Sequence, residues 1–136
     1  MIHLDTNAMI ALLNNTPRRV REQFGESQAA GVKMAISTIV HYELMYGAAD
    51  SRRRAENEDK IASMLLASAI SVIPFEAADA THAADIRVYL KRIGLPIGPY
   101  DVLIAGQARR YGATLVTSNL GEFKRVPGLI VMDWAA

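Results

Sequence analysis

The sequence contains no cysteine, which excludes disulfide bonds and thiolate metal sites. Aromatic residues make up only 7% of the chain and charged residues 21%, against 51% hydrophobic residues, a balance typical of a folded globular protein. No apolar run approaches the roughly 18 residues that cross a bilayer. Together with the lack of a signal-peptide pattern, these absences predict a cytoplasmic protein without a membrane segment.

Net charge is also nearly absent. The chain has 15 Lys and Arg against 14 Asp and Glu, and the resulting charge of +1 gives no global attraction to nucleic acid. Any site for a polyanion must therefore be local. Because 136 residues suit one compact domain and no internal repeat or linker is visible, we expect a single domain over residues 1–136.

Short apolar stretches alternate with helical patterns along the chain. Strands are predicted at residues 1–4, 32–37, 70–75, 113–119 and 129–134. Helices are predicted at residues 7–13, 17–31, 39–49 with a break near Gly47, 50–69, 76–94 and 99–111, the second of them capped by Thr16 with Pro17 in its first turn. This alternation predicts an α/β fold in which a parallel sheet is flanked by helices on both faces. In such sheets ligands bind beyond the carboxyl ends of the strands.

Three acids are surrounded by residues that belong in a core. Asp5 follows "IHL", Glu43 lies within "VHYELMYG", and Asp101 lies within "GPYDVLIAGQA". Each has an ordinary explanation: a helix cap, a solvent-facing helical position and an acid in a first helical turn, respectively. Because all three are expected near one sheet edge, they also form a candidate site for a hard cation such as Mg²⁺ or Mn²⁺.

A fourth polar group follows the strand "TLV". Thr117, Ser118 and Asn119 are candidates to orient a water or a carboxylate, and Glu122, one helical turn further, adds charge. Taken alone, the first three are better explained by a capped turn. The histidines have no zinc-ligand spacing and are predicted to lie on the surface. They are His3, His41 and His82.

Four motifs in order resemble those of the PIN-domain ribonucleases, and more narrowly those of VapC toxins of type II toxin–antitoxin pairs. They are "LDTN" (4–7), "ELMYG" (43–47), "IGPYDVLIAGQA" (97–108) and "LVTSNLGEFKRVPGLIVMDW" (115–134). The resemblance covers essentially the whole chain. It implies a single PIN-like domain and an acidic cluster that binds Mg²⁺ or Mn²⁺. It also implies hydrolysis of phosphodiester bonds in structured RNA such as tRNA, which inhibits translation.

The resemblance also assigns roles position by position. Asp5, Glu43 and Asp101 match the family's three acids, with Asp5 and Asp101 coordinating the metal first and Glu43 either ligating it or orienting the attacking water. Asn119 stands where an aspartate is common, and Glu122 occupies a position that is acidic in a VapC subgroup. Both would support the metal or the phosphate.

Outside the acids, Thr117 is predicted to support the same site, and Lys124 and Arg125 are predicted to contact phosphate because they follow the fourth motif directly. Tyr42 and Tyr46 flank Glu43 on the helix; contact with RNA or a partner is one explanation of them, but they are predicted to be buried. The resemblance further implies a VapB-like antitoxin that covers the active site, a toxin homodimer and a toxin–antitoxin hetero-oligomer.

Three alternatives compete with this hypothesis. Phosphatases with an aspartyl nucleophile need a second acid at position 7, which is Asn7, and a receiver domain needs an aspartate where the third strand ends in Pro74 and Phe75. The alternative from a different class is a non-catalytic PIN-like module that holds RNA or a partner without cutting. Asn119 is its only support, since all three acids are present.

Overall fold

A five-stranded parallel sheet forms the centre of the computed structural model, which describes all 136 residues. The strand order is β3-β2-β1-β4-β5. The strands are β1 (Ile2–Leu4), β2 (Met34–Ser37), β3 (Ser71–Ile73), β4 (Thr114–Val116) and β5 (Ile130–Met132). The α/β fold predicted from the alternation of strands and helices is therefore confirmed.

Seven helices connect and cover the strands. They are α1 (Thr6–Asn14), α2 (Arg18–Ala29), α3 (Thr38–Ala49), α4 (Arg54–Ala67), α5 (Ala77–Arg92), α6 (Pro99–Arg110) and α7 (Leu120–Phe123). Ser37 caps α3 by accepting a hydrogen bond from the Ile39 amide at 3.0 Å. The predicted start of the second helix was wrong by one residue: Pro17 occupies the cap position, and no side chain caps α2.

The strand order creates a crevice between β1 and β4. From β1 the chain moves to β2 and β3 on one side, and it then returns to β4 and β5 on the other. The connections from β1 to β3 run toward one edge of the sheet, and those from β3 to β5 run toward the other. Because both sets are right-handed, α1 to α4 lie on one face of the sheet and α5 to α7 on the opposite face. The carboxyl ends of β1 and β4 therefore lie at the topological switch point, where open α/β sheets bind their ligands.

The hydrophobic core follows β1 and β2, which are buried at every position because helices cover both faces of the parallel sheet. This burial overturns one prediction: His3, expected on the surface, is buried in β1. The pKa of His3 falls to about 4, chiefly because burial disfavours the charged ring. Along α4 only Ile61 is buried, while Leu66 faces solvent. No helix is long and apolar enough to span a bilayer.

The tightest packing joins α5 to α6. A β-carbon at Gly106 would lie 2.7 Å from the Ala83 backbone nitrogen, so only glycine allows the two helices to approach this closely. A charged pair reinforces the contact, since the Arg110 guanidinium donates to the carboxylate of the fully buried Asp79. Burial alone would raise the pKa of Asp79, but hydrogen bonds from Arg110 and from the Glu76 amide lower it below its ordinary value.

Candidate active site

Asp5 is the first residue after β1 and lies buried at the switch point. One carboxylate oxygen accepts a hydrogen bond from the Ala8 amide at 2.8 Å, so Asp5 caps α1 as its ordinary explanation requires. Burial nevertheless raises its pKa, with smaller contributions in the same direction from Glu43 and Asp133, while Thr117 and the cap oppose the rise. Capping therefore accounts for only part of the environment of this carboxylate.

Glu43 projects inward from the middle of α3. The Thr6 hydroxyl donates to Glu43 Oε1 at 2.7 Å, which joins the start of α1 to the third helix. The carboxylate is half-buried and does not turn away to solvent, so the solvent-facing alternative is wrong. The contact brings the second acid to the same crevice as Asp5.

Asp101 is the third residue of α6, in the first turn of the helix. Its pKa rises to about 6, first because the carboxylate is partly buried and then because Glu43, Asp5 and Glu122 add negative charge nearby. The carboxylate folds back over Gly98, where a β-carbon would lie 3.2 Å from Asp101 Oδ2. Gly98 therefore makes room for the third acid.

The fourth motif supplies two direct neighbours of the acids. Thr117, buried at the end of β4, accepts a hydrogen bond from the Asn119 amide at 2.9 Å and interacts through its hydroxyl with Asp5. Glu122 lies in the single turn of α7, and its charge reaches Asp101. The Asn119 side chain makes no hydrogen bond to the α7 backbone. Of the two fourth-position candidates, Glu122 is the one with an electrostatic link to Asp101.

One acid at this edge was missed from the sequence. Asp133 directly follows β5, accepts a hydrogen bond from the Ala135 amide at 2.8 Å, and contributes to the raised pKa of Asp5. The available signal was its position, because "IVM" predicts a strand and Asp133 follows that strand as Asp5 follows β1. The carboxyl ends of three strands thus present polar groups to one crevice.

No basic side chain neutralises these acids. The ion pairs of the protein join Arg53 to Glu56, Arg54 to Glu58, and Arg110 to Glu76 and Asp79, and none involves the crevice. Partly buried carboxylates without a counter-ion repel one another and favour a bound cation.

Oxygen donors of this kind fit Mg²⁺ or Mn²⁺. As the side chains stand, no three His, Asp or Glu residues lie close enough to hold one ion. The donor set therefore fits a hard cation that retains waters, as Mg²⁺ ordinarily does, and it does not form a complete protein cage.

The two residues predicted to contact phosphate differ in whether they already contact other groups of the protein. Lys124 is exposed at the end of α7, whereas a terminal nitrogen of Arg125 lies 3.4 Å from the carbonyl oxygens of both Leu95 and Pro96. Arg125 therefore also holds the loop that leads to Gly98 and α6. Lys124 keeps its full capacity to bind an anion.

Two aromatic residues next to Glu43 contradict their prediction. Tyr42 and Tyr46, expected in the core, are exposed on α3, and the Tyr42 ring lies beside that of Tyr100 at the start of α6. A spacing of four residues places Tyr42 and Tyr46 on one face of the helix, and that face points outward. The rim of the crevice on this side is therefore aromatic.

Comparison with known proteins agrees with this architecture. The family model described as "PIN domain" matches residues 2–129. The chain is 44% identical over 132 residues to the tRNA(fMet)-specific endonuclease VapC of Shigella flexneri, covering 97% of this chain and 96% of that protein.

Two solved structures are similar over nearly the whole chain. One is VapBC2 from Rickettsia felis bound to a DNA fragment from their promoter, with a TM-score of 0.90 and 37% identity over 98% of this chain and 99% of that one. The other is DNA-bound VapBC from Salmonella typhimurium, with a TM-score of 0.88 and 38% identity over 98% of this chain and 97% of that one. The chain therefore belongs to the PIN-domain family, among its VapC ribonucleases.

Proposed function

We infer that this protein is a metal-dependent endoribonuclease toxin that hydrolyses phosphodiester bonds in structured RNA and is neutralised by a VapB-like antitoxin. The observation that carries the proposal is the convergence of Asp5, Glu43 and Asp101 at the switch point without a basic partner. Membership of the VapC ribonucleases supports the same chemistry. The name of the Shigella relative makes tRNA the first substrate to test.

The three acids would hold Mg²⁺ or Mn²⁺, with Asp5 and Asp101 as the first ligands. When bound, the ion supplies Lewis-acid chemistry, lowering the pKa of a water and offsetting charge on the phosphate. Asp5 is suited to this role because the Ala8 amide and the Thr117 hydroxyl orient its carboxylate, which has further lone pairs for a ligand. Asp101 must be ionised to act as a ligand, so its pKa of about 6 matters to the chemistry.

Glu43 is suited to orient the attacking water, because the Thr6 hydroxyl fixes the position of one of its oxygens and leaves the other available. Attack of water on phosphorus breaks the bond to the 3′-oxygen, which leaves with a proton as the 3′-hydroxyl, while the other fragment keeps a 5′-phosphate. This route needs no 2′-hydroxyl nucleophile. Thr117, Asn119 and Glu122 would support the metal or the phosphate from β4 and α7, and Lys124 and Arg125 would contact neighbouring phosphates.

The proposed partners follow from the relatives. The structures from Rickettsia felis and Salmonella typhimurium are VapBC assemblies, so we expect this chain to bind a VapB-like antitoxin over the crevice and to form a homodimer within a hetero-oligomer. An antitoxin segment inserted there would prevent access of RNA to the acids. Co-expression with a VapB-like antitoxin that binds this chain should therefore suppress toxicity.

Cleavage of end-labelled total tRNA tests the proposal directly. The purified protein is incubated with Mg²⁺, Mn²⁺ or EDTA, alongside Asp5→Asn, Asp101→Asn and the control Asp85→Asn, which makes the same charge change at an exposed position of α5. Discrete cuts that carry 5′-phosphates, need the metal and disappear only in the first two variants are expected. Cutting that persists in EDTA or in both site variants would assign the activity elsewhere.

A non-catalytic PIN-like module is the second candidate, favoured by Asn119 in place of an aspartate and by the lack of three preformed ligands around one point. The same experiment separates the two functions. A module would bind tRNA in a filter assay but leave it intact at every metal concentration.

A further inference from the structure

Three tyrosines form a continuous row on the surface. Tyr42 and Tyr46 are one helical turn apart on α3 with ring centroids 6.5 Å apart, and Tyr100 at the start of α6 lies 5.6 Å from Tyr42. Their exposed fractions are 52%, 62% and 43%, respectively. Three of the five tyrosines of the chain therefore lie side by side at the surface. We call these three residues the tyrosine row.

The tyrosine row borders the acidic crevice. Tyr42 immediately precedes Glu43, and Tyr100 immediately precedes Asp101. The contact between the Tyr42 and Tyr100 rings, 5.6 Å between centroids, joins α3 to α6 at the helical turns that carry Glu43 and Asp101. A phosphate held at the acids would therefore have its neighbouring nucleotides beside these rings.

We propose that Tyr42, Tyr46 and Tyr100 form a stacking platform for unpaired nucleobases next to the bond that is cut. Flat aromatic faces in single file bind successive bases of a single strand, and they do so with little sequence preference because every base has a π face. The rings are tilted by 33° and 57° to one another, which suits bases splayed out of a helix better than a continuous duplex stack. This inference rests on the proposed function, since it locates the scissile phosphate at the acids.

The position of the platform favours RNA over a protein partner. Tyrosine is common at protein interfaces as well, so the rings alone do not decide between the two, although each has a flat face for a base. The row continues directly into the crevice that would hold a phosphate. Stacking supplies affinity and register there without adding positive charge, which agrees with a net charge of only +1.

The experiment measures RNA binding in an Asp5→Asn background, in which cutting is not expected. The probes are an RNA hairpin with 2-aminopurine in its loop and the same hairpin with abasic loop positions. Each tyrosine is changed in turn to leucine, which keeps bulk, and to phenylalanine, which keeps the ring. Tyr89→Leu is the matched control, because Tyr89 is 44% exposed on α5 and belongs to no ring pair.

Each Tyr→Leu change is expected to weaken binding of the intact loop about 10-fold and to reduce quenching of 2-aminopurine, with less than about a 2-fold effect on the abasic hairpin. The Phe variants and Tyr89→Leu should bind as the Asp5→Asn parent does. Equal losses on both hairpins, or no loss on either, would overturn the platform. A change of oligomeric state in sedimentation without a change in RNA binding would overturn it too and assign the row to a protein contact.

Failure of the platform and failure of the proposed function give different results. If the wild-type protein cuts tRNA but the Leu variants bind and cut as it does, only the platform is wrong. If quenching depends on the rings while no condition produces cutting, the rings bind bases but hydrolysis is wrong, and there is no scissile bond for them to adjoin. If both proposals are right, the Tyr→Leu changes raise KM for tRNA while leaving kcat nearly unchanged.

Discussion

Two partly or fully buried carboxylates in this protein have opposite electrostatic environments. Asp79, between α5 and α6, receives a hydrogen bond from Arg110 and has a lowered pKa. Asp101, at the crevice, has no basic partner, and burial together with Glu43, Asp5 and Glu122 raises its pKa to about 6. The first carboxylate is compensated within the fold. The second has no compensating partner within the fold, and the cation site proposed above would supply one.

Asp→Asn substitution at each position should therefore separate activity from stability. Asp101→Asn is expected to reduce tRNA cleavage by about 1,000-fold or more, because a lost metal forfeits several kcal/mol of transition-state stabilisation. Asp79→Asn should change cleavage per folded molecule by less than about 2-fold, since Asp79 lies outside the crevice. Single-turnover rates at equal folded concentration measure both, and similar losses in the two variants would contradict the distinction.

Stability should show the reverse pattern. Asp79→Asn removes the buried partner of Arg110, leaves it only the exposed Glu76 carboxylate at 3.7 Å, and is expected to lower the free energy of unfolding by about 3 kcal/mol. Asp101→Asn removes an uncompensated charge and should leave the metal-free protein equally or more stable. Urea denaturation in EDTA gives both values. The double change Asp79→Asn with Arg110→Met is the control, because removing both charges should recover most of the loss.

Adding a β-carbon at either of two glycines tests how tightly each region is packed. Gly106→Ala drives a β-carbon against the Ala83 backbone and should cost about 2 kcal/mol of stability, because neither helix backbone yields easily. Gly98→Ala meets only the Asp101 carboxylate, so it should spare stability but displace a catalytic oxygen and reduce cleavage about 10-fold.

Thermal unfolding and cleavage rates distinguish the two glycine variants. Gly121→Ala, at a position with open space, is the matched control for added bulk near the site. A Gly98→Ala protein that cuts normally would show that Asp101 does not need its observed position.

The three acids could be predicted because each interrupts an apolar segment, and a charge there requires a partner. The hydrogen bond from Thr6 to Glu43 could not, since it joins residues 37 apart through the packing of α1 on α3. Asp133 was missed for a related reason. Its neighbour Asp5 follows β1, and the two become close only once β4 is placed between β1 and β5.

Two predictions about solvent exposure were wrong because the sequence does not show which side of a strand or helix the rest of the fold covers. His3 was expected on the surface, but β1 is the central strand and both its faces are covered. Tyr42 and Tyr46 were expected in the core because they are large and partly apolar, yet the face of α3 that they share points away from it. Periodicity identifies which residues share a face. It does not show which way that face points.

The smallest predicted effect concerns pH. In the metal-free protein, native Asp101 takes up a proton below about pH 6, whereas in the unfolded chain it does so only near its ordinary pKa of 3.8. Acidification through this window therefore stabilises the native state at this position. His3 opposes the effect, because its ordinary pKa of 6.5 falls to about 4 in the native state, so the unfolded chain gains its proton first and stability falls.

Because the wild type and Asp101→Asn share His3, their difference isolates Asp101. The Asn variant should be more stable at pH 7 by about 1 kcal/mol, a modest value since solvent screens a half-exposed carboxylate, and this advantage should fall to about half by pH 5, because the unfolded chain gains its proton only near its ordinary pKa of 3.8. The Asp79→Asn deficit should persist between pH 7 and pH 5, since the lowered pKa of Asp79 keeps it ionised throughout. Urea denaturation in EDTA at both pH values tests this. An Asn advantage independent of pH would mean that Asp101 is not held in an environment that disfavours its charge.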